Sequence, residues 1–156
     1  MKFLASLILS AALAVPALAA DLSKDLKPDS RYYGVGWQSD GNHWSVELLI
    51  TENGGQVAYP SANCSGNWTL TKATKDQTKY IERITEGVDD CIVLGTVILE
   101  PLSDGRLLYT FREHAAVIDA RAVLLPATGA RLDYMDALIL TLNTIEFDYL
   151  LQEYFE

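Results

Sequence analysis

The sequence predicts a mainly β protein: an antiparallel meander of about eight strands closing into a small barrel or sandwich, followed by a C-terminal helix. Three observations predict it. Short runs of β-branched and aromatic residues recur at close spacing from Tyr32 to Leu125. Turn signals of hairpin length separate them, leaving no helical crossover of the kind parallel strands need. After Pro126 the apolar spacing changes from two to alternating threes and fours.

The chain opens on an export signal. Met1-Lys2 is a charged start, Phe3 to Val15 is apolar except for Ser6 and Ser10, Pro16 breaks the run, and Ala17-Leu18-Ala19 supplies the small residues a signal peptidase requires. Cleavage is expected after Ala19. The run is too short to remain as a membrane span, so no stable membrane insertion is expected after cleavage. No cysteine at the cleavage site offers a lipid anchor. The Ala-rich leader is of a bacterial type, and the expected location is periplasmic or secreted. Residues 1–19 are thus the signal peptide, 20–30 a polar lead-in segment, 31–126 the barrel-like domain and 127–156 an acidic helical segment.

Within the domain, Tyr32 to Gln38 is the first expected strand and Ser39-Asp40-Gly41-Asn42 its turn. His43 to Thr51 follows, with Trp44, Val46, Leu48 and Ile50 on one face, and Asn53-Gly54-Gly55 is a hairpin signal. Gln56 to Tyr59 stops at Pro60. Asn67 to Ala73, Thr78 to Thr85, Gly95 to Leu102, Arg106 to Arg112 and Ala116 to Leu125 complete the series. Eight strands can enclose either a filled interior or one small ligand, and the sequence leaves that open. In the last segment Met135, Leu138, Leu142, Ile145 and Tyr149 form a helical stripe. That helix is expected to pack across the barrel wall or its open end, or to be offered to a partner or a dimer mate. Leu138 to Leu142 could instead form a strand.

Export changes how the cysteines read. Cys64 and Cys91 are the only two, and an oxidising compartment favours joining them. The bridge would close a loop of about 28 residues, worth about 3.6 kcal/mol by loop entropy.

Composition excludes several classes. The 156 residues carry 12 Lys and Arg against 21 Asp and Glu, a net charge of −9, which disfavours nucleic acid. Two Cys and two His are too few for a cysteine- or histidine-based zinc centre, and no cofactor-binding motif is present, so no metal and no cofactor are expected. Serine catalysis needs a base; the histidines are His43 and His114, and no Gly-x-Ser-x-Gly elbow accompanies them. Asp89-Asp90 read as a solvated pair. No catalytic residue is assigned.

The stretch Gly55 to Gly66, with its Tyr59-Pro60-Ser61 and Cys64, is distinctive. So is Tyr80 to Gly87, followed by Cys91, Gly95-Thr96-Val97 and Asp104-Gly105-Arg106-Leu107-Leu108-Tyr109. Together, over about residues 44–125, they resemble a small extracytoplasmic β-domain of bacterial exported proteins and of the outer portion of some bacterial kinases. The resemblance supports the disulfide and implies no established activity or catalytic set. The segment after Pro126 lies outside it.

The expectation is therefore an exported acidic binding module without catalysis of its own, protein-binding in the manner of an inhibitor or immunity protein, with a basic exported protein as partner. The alternative is a small-ligand carrier using the barrel interior. A homodimer through the C-terminal segment is a further expectation. Candidate binding residues are Trp37, Asp40 and His43, which form the best aromatic and polar cluster, together with the acids Asp133 and Asp136.

Overall fold

The computed structural model describes residues 26–38, 41–102, 105–113 and 119–127. Eight strands follow one another around a closed antiparallel barrel: β1 (Arg31–Trp37), β2 (His43–Thr51), β3 (Gly54–Tyr59), β4 (Cys64–Ala73), β5 (Thr78–Glu86), β6 (Leu94–Pro101), β7 (Leu107–Arg112) and β8 (Ala120–Pro126). Every strand pairs with its sequence neighbours, and β1 pairs with β8 to close the ring. Closure removes both sheet edges and decides between barrel and sandwich. A 3-10 turn, η1 (Pro60–Ala62), links β3 to β4.

Alternation sets which side chains fill the interior. Trp44, Val46, Leu48 and Ile50 point inward from β2, and Thr78, Tyr80, Glu82 and Ile84 from β5. Leu107, Tyr109 and Phe111 enter from β7, and Ala120, Ala122 and Leu124 from β8. Gly36, paired with Trp44, has no side chain, and the Trp44 indole lies where a Cβ would be.

Two details differ from the sequence reading. The β2–β3 turn is centred on Glu52 and Asn53, not on Asn53-Gly54-Gly55: Gly54 already pairs with Thr51. Gly54 is needed for close approach, because a Cβ there would strike the Trp68 carbonyl of β4. β4 also begins three residues earlier than expected, at Cys64, because Ser65 and Gly66 pair with Ala58 and Val57. The expected signal peptide and the expected C-terminal helix lie outside the described residues.

The cysteines are joined. The Cys64–Cys91 disulfide ties the start of β4 to the loop between β5 and β6, and it points to an oxidising, non-cytoplasmic environment. Among the described residues, no helix is long and apolar enough to cross a membrane.

Candidate functional site

The two ends of the barrel interior are built differently. At the end near the β2–β3 turn, Tyr32, Leu48, Ile50, Val57, Tyr80, Leu99, Leu107 and Leu124 are buried against one another. Trp68 forms the next layer, its ring 5.4 Å from Tyr80 and stacked 5.8 Å from Tyr109. Beyond Trp68 the interior opens. A cavity of about 360 Å³ is lined by Trp44, Tyr59, Glu82, Ile84, Tyr109, Phe111 and Ala120 from the strands. The loops add Gln38, Asn42, Ser61, Ala62 and the Asp90-Cys91-Ile92 segment that the disulfide holds.

A carboxyl group sits in this cup. Glu82 is buried, and its Oε2 accepts hydrogen bonds from the Tyr59 hydroxyl at 2.5 Å and from Trp68 Nε1 at 2.6 Å. Tyr59 has one proton, which it gives to Glu82, so at the 3.2 Å contact between the phenols Tyr109 donates to Tyr59. The result is a directed chain, Tyr109 to Tyr59 to Glu82, with the Trp68 indole as second donor. Both protein donors converge on Oε2.

Burial pushes the Glu82 carboxyl above its ordinary value, while the hydrogen bonds from Tyr59 and Trp68 pull it back down. Burial also pushes Tyr59 well up, assisted by the neighbouring Tyr109 and Glu82 charges. Tyr109 is pushed up by burial and then by Glu82. Both phenols therefore stay neutral at physiological pH, and Glu82 is the one of these three groups that can change charge.

The lining of the cup away from the strands is mixed, with Gln38, Asn42, Ser61 and Asp90 beside Ala62 and Ile92. Val88, Ile92, Val93 and Leu94 are exposed around the disulfide-held loop, with Asp89 and Asp90 exposed beside them. Taken together the described residues are nearly balanced in charge, with nine Lys and Arg against eleven Asp and Glu. Among the described residues, no group of three or more His, Cys, Asp or Glu could hold a metal.

Of the residues singled out from sequence, Trp37 and His43 meet. They are register partners across the β1–β2 hairpin, and their rings stack at 5.7 Å. His43 lines the cup while Trp37 stands outside it. Asp40, His114, Asp133 and Asp136 lie outside the described residues. The sequence pattern alone does not single out Glu82, Tyr59, Trp68 and Tyr109 as a site. The available signal is parity: Glu82 occupies the same face of its strand as Thr78, Tyr80 and Ile84. A carboxylate on an apolar face must find partners in the interior.

No known protein family, curated protein or solved structure matches this chain.

Proposed function

We propose that the chain is a periplasmic or secreted binding protein without catalysis of its own, and that its open end takes up an amine carried on an apolar chain. The observation that supports this most is buried Glu82 in the lining of a cup whose walls include Trp44, Ile84 and Phe111. A carboxyl that receives two protein donors on one oxygen selects a donor group on the incoming molecule and disfavours an acceptor. Trp44, Ile84 and Phe111 provide apolar walls for the chain behind the amine.

Two sources supply such a group. One is the lysine side chain of a basic exported partner, favoured by the exposed Val88, Ile92, Val93 and Leu94 of the disulfide-held loop with Asp89 and Asp90 beside them. The other is a small free amine held in the interior.

Titration calorimetry with hexylamine, hexanoate and Nα-acetyl-lysine amide tests the reading. Hexylamine is expected to bind, hexanoate to fail, and Ala62→Trp, which grows into the cup, to abolish binding. Stronger binding of the lysine amide and a salt-sensitive basic protein in pull-down would favour the partner; preference for hexylamine with an empty pull-down would favour the free ligand. Failure of both amines, or binding indifferent to Ala62→Trp, would overturn the site.

A further inference from the structure

Four aromatic side chains besides His43 line the cup around Glu82: Trp44 from β2, Tyr59 from β3, and Tyr109 and Phe111 from β7. Trp68 lies beneath them, stacked on Tyr109. Two glycines make room for the outer pair. The Trp44 indole lies where a side chain on Gly36 would stand, and the Phe111 ring where a side chain on Gly95 would stand. A Cβ at either position would strike the ring, so the rings occupy these places only because both residues are glycine. Gly95 is the register partner of Glu82, which brings the Phe111 ring next to the carboxyl across one strand pair.

The hydroxyls beside the carboxyl are already engaged. Tyr59 donates to Glu82 and Tyr109 to Tyr59, and Glu82 Oε2 takes a second donor from Trp68. This leaves few acceptors for a primary ammonium, whose three N–H groups each need one once water is displaced. A trimethylammonium has no N–H to satisfy. Its charge is spread over methyl groups, which pack against rings and are attracted by their quadrupoles, with a carboxylate completing the charge balance.

We infer that the cup is built for a quaternary, N-methylated ammonium head on an apolar chain, held among Trp44, Tyr59, Tyr109 and Phe111 with Glu82 as its counter-charge. This rests on the amine reading of the cup and fixes the substitution at nitrogen. The cavity of about 360 Å³ is in the size range of small-molecule sites.

Titration calorimetry on the full mature chain tests the inference by comparing hexyltrimethylammonium with hexylamine, which share a chain length and a charge. Hexyltrimethylammonium is expected to bind about tenfold tighter. Phe111→Leu keeps an apolar side chain over Gly95 and removes the ring. It is expected to lower the affinity for hexyltrimethylammonium several-fold and that for hexylamine less, and Trp44→Leu, at a half-buried position, to do the same. Nα-Acetyl-Nε-trimethyl-lysine amide separates two sources of the head. Tighter binding than hexyltrimethylammonium would place it on a partner's side chain, and weaker binding on a free molecule; either order supports the inference. Equal or tighter binding of hexylamine would overturn the inference and leave the amine site standing. A preference that both leucine variants leave unchanged would overturn the role of the rings. Failure of both cations would overturn the amine reading itself.

Discussion

The filled and open ends of the barrel interior are made by the same eight strands, and they differ in what their inward positions carry. At the filled end the inward residues are aliphatic or aromatic apart from Thr78, and they are buried against one another. At the open end a phenol, a carboxyl and a second phenol occupy the corresponding positions of β3, β5 and β7, and alanines occupy β8. Small and polar residues leave space that aliphatic ones would fill. The difference shows that one barrel can divide its interior into a filled half and an open half.

The largest effect expected from disturbing this division is at the disulfide. Replacing both Cys64 and Cys91 by serine should cost about 3.6 kcal/mol by loop entropy. Hydrogen exchange should show the open end loosening first, around residues 60–64 and 87–93, with the filled end still protected. Uniform loosening of both ends would break the comparison.

Next comes Leu99→Ala at the filled end. Leu99 is fully buried, and its truncation should cost about 3 kcal/mol in chemical denaturation. Ala62→Trp at the open end should cost far less, because the ring enters existing space. Comparable losses would mean that the two ends are equally packed.

Tyr59→Phe should cost about 1–2 kcal/mol, since it removes one of the two donors to a buried carboxyl. The same change should raise the Glu82 pKa further, which carboxyl chemical shifts would report.

The smallest effect is a slope. Glu82 has its folded-state pKa raised, so between the unfolded and folded values the native state holds more protons than the unfolded one. Its contribution to stability is present below the unfolded pKa and is lost as pH rises through the folded pKa. Glu82→Gln keeps an acceptor for Tyr59 and Trp68 and cannot ionise. The variant should therefore lack that fall, and denaturation at a series of pH values should show the two proteins diverging as pH rises.

The strands were legible because their signals are local. Alternation in His43 to Thr51 and turn residues at Lys75-Asp76-Gln77 need no knowledge of neighbours. The Asn53-Gly54 signal points to a turn later than the one that forms, since the requirement on Gly54 comes from Trp68 on the adjacent strand. The site was harder to read for the same reason. Tyr59, Glu82 and Tyr109 are 23 and 27 residues apart in turn, and register alone brings them to one level. Trp37 and His43 were legible together because a single hairpin joins them.

The central claim is that Glu82 is a buried carboxyl facing a cavity that accepts an amine. Its carboxyl titration, followed by carbon NMR with and without hexylamine, tests that claim most directly. The expected midpoint lies above the ordinary carboxylate value in the free protein and lower with the amine present, because the bound cation favours the ionised form. An ordinary midpoint that hexylamine leaves unchanged would contradict it.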